Sequence, residues 1–357
     1  MVRLPQRKQR LKKPLLVSKN EVRNVSFGLF LYKKHKSFAY MQKLLYLCTL
    51  LSSTPMKKVS VIMPNFNHSS YLKERMDSIL AQDYPDFEVI LLDDASTDES
   101  VAVLDPYTKD PRVKQLMVND RNSGNTFLQW EKGLAWATGE YVWIAESDDV
   151  AAPTLLSTLV EALEQKHATV AFCHSQWIDS DGAAIARSRD PQWDADFSMV
   201  GDTFVRRYLL GYNTICNASA VVFRREAART VDMQQVAQFT ASGDRLFWIQ
   251  MAMQGRVAYV SQSLNKFRQH THKVSGGAEY NGLNIVQDHA IYRLATEHME
   301  LSELEKRWIC GYHWKAMHRP TVSEQGRQNA LTAWSEEPEF GRLSFLFYLL
   351  HRAKERC

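Results

Sequence analysis

The sequence predicts an α/β fold: a mostly parallel central sheet flanked by helices, followed by a helical C-terminal region. Three observations predict it. Short apolar runs alternate with amphipathic stretches between residues 59 and 177, at the spacing of βαβ units. Three of those runs end in polar clusters, Pro64 to His68, Asp93 to Ser96 and Glu146 to Asp149, which is where open α/β sheets place ligands. From about residue 285 the pattern is helical to the end.

Val59 to Met63 reads as the first buried strand, closed by Pro64-Asn65-Phe66-Asn67-His68. Ser69 or Ser70 caps the next helix, whose Leu72, Met76, Ile79 and Leu80 share one face. Asp83 to Asp86, with Pro85, breaks that helix, and Phe87 to Leu92 is the second strand. It runs into Asp93-Asp94-Ala95-Ser96-Thr97-Asp98-Glu99, where Ser96 and Glu99 have the spacing of a capping box. Val113 to Val118 is the third strand; the polar loop Asn119 to Asn125 leads to a helix over Phe127 to Thr138, stopped by Gly139. Residues 141–145 are aromatic, β-branched or small and form the fourth strand. A helix over 154–166, a strand over Thr169 to Trp177 and a turn at Asp179-Ser180-Asp181-Gly182 follow. Beyond it come a loop-rich excursion over 183–200 with Trp193, a helix over 202–210 and a strand over Ser219 to Phe223. A helix over Asp244 to Gln254 and strands at Val257 to Val260 and Leu264 to Phe267 complete the sheet.

The composition, 45% apolar and 24% charged over 357 residues, is that of a globular protein with ample core. The net charge of +4 is unevenly spread. Residues 1–55 hold 12 Lys/Arg against Glu21 alone, net +11, whereas the rest holds 32 against 39 acids, net −7. Met56 is a second candidate start, which would leave the basic stretch as an upstream extension. That stretch is a solvated tail or a contact for an anionic surface. The acidic body lacks an aromatic-basic platform, which argues against a nucleic-acid partner. Cys48, Cys173, Cys216, Cys310 and Cys357 are scattered, so neither a disulfide framework nor a structural zinc site is expected, and a reducing, cytoplasmic setting fits. No run approaches 18 apolar residues; Leu44 to Leu51 is short and follows too long a basic region for a signal peptide. Leu343 to Leu350, then His351-Arg352-Ala353-Lys354, form an apolar-then-basic helix that packs on the body or lies on a membrane surface.

The adjacent carboxylates of Asp148 and Asp149 repel unless they share a cation, and a hard divalent ion suits them. The alternative is a solvated turn capping the helix that begins near Pro153. Adjacent strands of one parallel sheet would bring all three polar clusters to a single crevice. No G-x-G-x-x-G follows the first strand and no G-x-x-x-x-G-K-[ST] occurs, so a glycine-rich phosphate cradle is not supported.

Pro64-Asn65-Phe66-Asn67, Asp93 to Asp98, and Ala137-Thr138-Gly139-Glu140-Tyr141-Val142 leading into Glu146-Ser147-Asp148-Asp149 resemble family 2 glycosyltransferases of the GT-A, Rossmann-like fold. Gly243-Asp244-Arg245-Leu246-Phe247-Trp248 is similar to that family's acceptor-side segment, and Arg268-Gln269-His270, with Ser275 after it, to an Arg-x-His segment found late in many members. The resemblance covers about residues 57 to 275. It implies a basic extension over 1–56, a GT-A domain over 57–280 with donor half 57–150 and acceptor half 151–280, and a helical region over 281–357. Pro64 and Phe66 would line the nucleotide base, Asn67 the ribose region, and Asp94, with Asp93, would hydrogen-bond base or ribose. Asp149 is expected as the ligand of Mg²⁺ or Mn²⁺ and Asp148 as a positioning residue or second ligand, the two being exchangeable. Glu146 stands where many members have Asp. Asp244 would be the general base of an inverting transfer, against the alternative of a helix N-cap. His270 or His272 would reach metal or diphosphate, against a structural role; Arg268 would pair with phosphate or form an ordinary salt bridge; and Lys132 would approach the nucleotide. Trp130 reads as core, and Asp179 and Asp181 as turn residues.

The implied activity is transfer of a sugar from a nucleoside-diphosphate donor to a carbohydrate or lipid-linked glycan acceptor. Bacterial surface polysaccharide or glycolipid assembly, in the cytoplasm or at the inner face of the membrane, is the setting by analogy. The competing reading is a non-catalytic nucleotide-sugar or glycan binding module of the same fold. Metal-dependent phosphoryl transfer would want an Asp nucleophile near the first strand, and Pro64-Asn65-Phe66-Asn67 has none.

Overall fold

The first two strands, β1 (Val59–Asn65) and β2 (Phe87–Asp93), are buried at every position, as parallel strands covered on both faces must be. A computed structural model describes residues 57–186, 193–215, 217–270 and 274–354. The extension over 1–56, with Leu44 to Leu51, and Cys216, His272 and Cys357 lie outside the described residues. β3 (Val113–Val118) and β4 (Tyr141–Ile144) continue the parallel set in the order 3-2-1-4. Each crossover carries a helix: α1 (Ser69–Leu80) after β1, the short α2 (Ser100–Leu104) after β2, and α3 (Thr126–Trp136) after β3.

The sheet then changes character. β8 (Val221–Arg224) runs antiparallel to β4 and to β6 (Val170–Ile178), and β6 pairs in parallel with β9 (Arg256–Arg268). The two-residue β5 (Val150–Ala151) and β7 (Phe197–Val200) both pair antiparallel with β9. The parallel portion is therefore the N-terminal half of a mixed sheet ordered 3-2-1-4-8-6-9-5. The two strands expected at Val257 to Val260 and Leu264 to Phe267 are one 13-residue strand. Register shifts on either side of the His174–Ser263 pair absorb Ser261, Gln262 and Leu264 as irregularities, not as a turn. The excursion over 183–200 contains β7 at its end.

Alternation along the strands separates two cores. Val59, Val61, Met63, Leu91 and Trp143 pack with Leu72, Met76 and Ile79 of α1 and with Leu155, Leu156, Leu159 and Leu163 of α4 (Leu155–Gln165). Ile62, Ile90, Leu92, Val142 and Ile144 face the other way, toward Phe127 and Trp130 of α3. The same core takes in Phe204 of α5 (Gly201–Phe204). It also takes in Ala227 and Ala228 of α6 (Arg225–Ala228), Met233 and Val236 of α7 (Met233–Ala237), and Phe247 and Trp248 of α8 (Gly243–Ala252). The closing helices are α9 (Val274–Tyr280), α10 (Leu283–Thr296), α11 (Glu303–Met317), α12 (Glu324–Trp334) and α13 (Arg342–Lys354). Ile291, Tyr292, Trp308, Ile309 and Trp334 bring them into that second core, so the helical region shares a core with the sheet. The described residues from Lys57 onward accordingly form one compact unit.

Candidate active site at the strand-end edge

β1 and β2 end side by side, with Asn65 opposite Asp93. Asn65 Nδ2 donates to Asp93 Oδ2 at 2.7 Å, and the Ser96 amide and hydroxyl donate to the same carboxylate at 2.8 and 2.7 Å. Asp93 is fully buried and serves the turn. Ser96 and Glu99 do not make a capping box: Glu99 precedes α2 without a side-chain cap, and Asp98 accepts instead from the amides of Ser69 and Ser100, both at 2.9 Å. The cap expected of Ser69 or Ser70 is thus supplied by the neighbouring loop. Asn67 and Ala95 take left-handed φ of 55° and 60°. That is ordinary for Asn but strained for Ala, the kind of strain that collects at ligand loops. Phe66, 42% exposed, leaves a ring face open beside buried Pro64.

Asp94 organises the next loop. It accepts from Asn119 Nδ2 at 2.6 Å, from the Ser123 amide at 3.0 Å and hydroxyl at 2.7 Å, and from Gln129 Nε2 at 2.9 Å. Lys132 Nζ donates to Asn119 Oδ1 at 2.6 Å, so Lys132 reaches this edge through Asn119. Asn65 Oδ1 and Gln129 Oε1 are buried acceptors without a donor among the described residues. Unmet acceptors next to a carboxylate suit a ligand bearing N–H or hydroxyl groups.

The acidic turn after β4 sits over a buried cation. Arg75 is fully buried on the apolar face of α1, its guanidinium 4.9 Å from the Trp143 ring, and Nη2 donates to Ser219 Oγ at 3.2 Å. Its Nε and Nη1 have no hydrogen-bond partner among the described residues. Burial pulls Arg75 down to about 10, opposed by Asp149, Asp148 and Glu146. Glu146 accepts from Trp130 Nε1 at 2.9 Å; burial and then Asp148 push its carboxyl up to about 8. Trp130 is therefore core and also the anchor of Glu146.

Asp148 and Asp149 part company. Asp149 is 1% exposed; its Oδ1 accepts the Arg268 amide at 2.9 Å and its Oδ2 accepts Asn217 Nδ2 at 2.9 Å. Burial, with Asp148 next, pushes it up to about 6. Asp148 Oδ2 lies 3.0 Å from His270 Nε2, and His68 Nδ1 lies 2.8 Å from Ser147 Oγ. The His68 and His270 rings meet edge to face at 5.3 Å. Nitrogens of both histidines and an oxygen of Asp148 all fall within 4.8 Å of one another. Asp149, expected as the main metal ligand, lies outside this group because the pairing of β5 with β9 turns it inward.

Arg268 explains how His270 arrives there. Its guanidinium donates to the carbonyls of Asp148 at 2.7 Å, Ser180 at 2.9 Å and Asp179 at 3.2 Å, and to Glu74 at 2.6 Å, and it stacks 4.8 Å from the Tyr71 ring. Arg268, expected to pair with phosphate, is 2% exposed and clamps protein groups. Asp179 and Asp181 form the expected turn, whose carbonyls at Asp179 and Ser180 that clamp uses.

Asp244 occupies the first turn of α8, behind N-cap Ser242, so it is not the cap itself. Gly243 lets α8 approach α3: a Cβ there would lie 2.5 Å from the Phe127 ring. Asn213 Nδ2 donates to Asp244 Oδ2 at 3.0 Å. Burial raises Asp244 above the usual carboxylate range, while Asn213 and the Arg245 amide hold it down. The segment 213–219 ties this carboxylate to the acidic turn. Asn213 holds Asp244, Asn217 holds Asp149, and Ser219 Oγ accepts the Glu146 amide at 3.0 Å. The ring contacts of Trp130 with Phe247 at 5.5 Å and Trp248 at 6.2 Å make a second link between α8 and Glu146.

His68, Arg75, Asn213, Asn217, Ser219 and Gln129 were not assigned roles from sequence. Arg75 was detectable as a cation inside the Leu72–Met76–Ile79 stripe, and 213–219 as a polar insert before an apolar strand.

Comparison with known proteins follows the same lines. The model described as Glycosyl transferase family 2 matches residues 60–232. Glycosyltransferase GlyG of Streptococcus pneumoniae serotype 4 is 35% identical over 126 residues, 35% of this chain and 41% of GlyG, so the match spans less than half of that relative. The putative teichuronic acid biosynthesis glycosyltransferase TuaG of Bacillus subtilis is 26% identical over 211 residues, 59% of this chain and 78% of TuaG. Among solved structures, S. aureus TarS 1–349 in complex with UDP-GlcNAc aligns with a TM-score of 0.61 at 17% identity, over 77% of this chain and 79% of that one. Mannosyltransferase PcManGT from Pyrobaculum calidifontis in complex with GDP-Man and Mn2+ aligns with a TM-score of 0.51 at 16% identity, over 85% and 82%.

Proposed function

This chain belongs to glycosyltransferase family 2 with a GT-A fold, and from that premise we propose that it moves a sugar from a nucleoside-diphosphate donor to an acceptor hydroxyl with inversion. The observation that carries the reading is the convergence of His68, Asp148 and His270 within 4.8 Å at the edge where β1 and β4 end. Two imidazoles and a carboxylate fit a borderline divalent ion such as Mn²⁺ better than Mg²⁺, which prefers oxygen ligands. Bound there, the ion would offset the charge that develops on the leaving diphosphate. Asp148, His270 and His68 would hold it; Asp149 and Arg268 fix the turn that presents Asp148.

The protein's own groups do the rest. Phe66 and Pro64 offer an apolar platform for the base. Asn67, Asp94, Gln129 and Asn65 surround the adjacent edge with acceptors for base or ribose, with Asp93 and Lys132 bracing the two loops. Asp244 takes the proton of the attacking hydroxyl as the sugar's anomeric bond to the diphosphate breaks on the opposite face. Burial raises its basicity, and Asn213 orients its Oδ2. The acceptor is a carbohydrate or lipid-linked glycan of a bacterial surface polymer, a reading supported by relatives named for teichuronic acid and poly(ribitol-phosphate) chemistry. A cytoplasmic setting is supported by buried free Cys173 and Cys310.

The test is a panel of UDP- and GDP-sugars assayed for transfer or slow hydrolysis. EDTA should abolish turnover and Mn²⁺ restore it. Asp148→Asn and His270→Ala should lower Mn²⁺ affinity at least about tenfold by calorimetry. Chelator-insensitive turnover would overturn the metal assignment.

A further inference from the structure

α13 presents a surface that the transfer chemistry does not use. Its inner side is seated on α11 through Ser344 and Tyr348, both 2% exposed. Gly311 of α11 makes the seat close: a Cβ there would lie 2.0 Å from the Ser344 carbonyl oxygen. Lys315 Nζ donates to the Tyr348 hydroxyl at 3.1 Å from the same helix. With this side fixed, Leu343, Leu346, Leu349 and Leu350 are left 72, 55, 43 and 63% exposed. Leu343, Leu346 and Leu350 follow i, i+3, i+7 spacing, so they line one outward stripe. Leu304, near the start of α11, is 65% exposed as well. A contiguous row of exposed leucines on a helix marks an interaction surface more often than idle exposure.

Charge decides the occupant. α13 carries Arg342 at its start and Arg352 and Lys354 at its end, and no acid. The Arg307 guanidinium flanks the helix over the Phe347 ring at 5.4 Å. Of the acids near it, Glu303 is paired with Lys306 at 3.0 Å and Glu337 lies 3.0 Å from His289 and 3.3 Å from Arg293, while Glu336 and Glu339 precede the helix and lie outside the leucine row. A second copy of this face would set bases against bases. The +11 stretch of residues 1–55 has the same sign. A bilayer with anionic headgroups complements both the apolar row and the bases beside it. No helix among the described residues is long and apolar enough to cross a membrane. We propose that α13 lies on an anionic lipid surface, with the leucine row in the headgroup–acyl boundary and Arg342, Arg352 and Lys354 among the headgroups. The proposal does not depend on the sugar transfer reading.

The experiment is co-sedimentation of the full chain with phosphatidylcholine vesicles, with and without about 30% phosphatidylglycerol, alongside sedimentation velocity without lipid. The expected result is binding to the anionic vesicles that falls at least about tenfold in Leu346→Ser/Leu350→Ser and about fivefold or more in Arg352→Gln/Lys354→Gln. Circular dichroism of both variants should match the parent, since all four side chains are exposed. Anionic binding that ignores the leucine changes would assign it to the N-terminal stretch and overturn the proposal. A dimer that the leucine changes dissolve would assign the face to a second copy and also overturn it. No binding to either vesicle would do the same.

Discussion

The edge where β1, β2 and β4 end and the first turn of α8 treat their carboxylates in opposite ways. At the strand ends, Asp93, Asp94 and Asp149 each accept two or more protein donors, and the loops take their shape from those bonds. Asp148 instead meets two histidines. At α8, Asp244 has Asn213 as its side-chain donor, and burial raises it despite the helix N-terminus, which favours charge. Carboxylates bonded in this way shape the loops around them, whereas burial in the first turn of α8 raises the basicity of Asp244. Neighbouring sequence positions do not predict an acid's surroundings: Asp149 accepts from the Arg268 amide and Asn217, whereas Asp148 lies 3.0 Å from His270.

Asp244→Asn should have the largest effect. If Asp244 is the base, turnover falls about 10³-fold while donor affinity by calorimetry stays within about twofold. A variant that turns over normally removes the base role and returns Asp244 to helix structure. The pair Asp148→Asn and Asp149→Asn comes next. The first should weaken Mn²⁺ with little change in melting temperature. The second should cost about 1–3 kcal/mol in denaturant unfolding, because Arg268 N–H and Asn217 lose a charged acceptor. Equal effects on metal affinity would erase the distinction between these neighbours.

β1, β2 and β4 were legible because they are buried on both faces, and such strands read as unbroken apolar runs. The strand-end clusters and the turn at Asp179 to Gly182 followed from the same punctuation, whereas Asp244 was singled out by the family resemblance of its segment. What sequence could not supply was long-range pairing. Val257 to Val260 and Leu264 to Phe267 looked like two strands because residues 261–263 are polar, yet β6 spans both through register shifts. Arg268 looked like a phosphate ligand by type; its carbonyl partners at Asp148, Asp179 and Ser180 exist only after β9 pairs with β5 and β6. The same pairing turns Asp149 inward and delivers His270 to Asp148. His68 closes the first strand-end cluster, and its role was not legible there because Ser147 and His270 are 79 and 202 residues away in sequence.

A smaller effect sharpens the α8 side. Asn213 donates to Asp244 and so favours its charged form. Asn213→Ala should raise Asp244 further, moving the acid limb of the kcat/KM profile to higher pH while leaving the alkaline limb in place. An unmoved acid limb would disconnect Asn213 from the base.

The smallest effect belongs to a carboxylate at the opposite end of the sheet, which serves as the structural reference for the comparison. Glu164 accepts from the Tyr141 hydroxyl, from Arg224 Nη2 at 2.7 Å and from Lys57 Nζ at 3.1 Å. The Tyr141 hydrogen bond and then Arg224 and Lys57 hold it down at about 2, against burial. A depressed acid contributes stability that is present above its unfolded pKa and lost as pH falls through the folded one. The contribution therefore disappears between about pH 4.5 and 2. Because the side chain is 42% exposed, solvent screens the group and its worth is under about 1 kcal/mol. Glu164→Gln should lower unfolding free energy slightly at pH 6 and converge with the parent near pH 2, with turnover unchanged. A difference that persists at pH 2 would mean that Glu164 acts through packing and not through its charge.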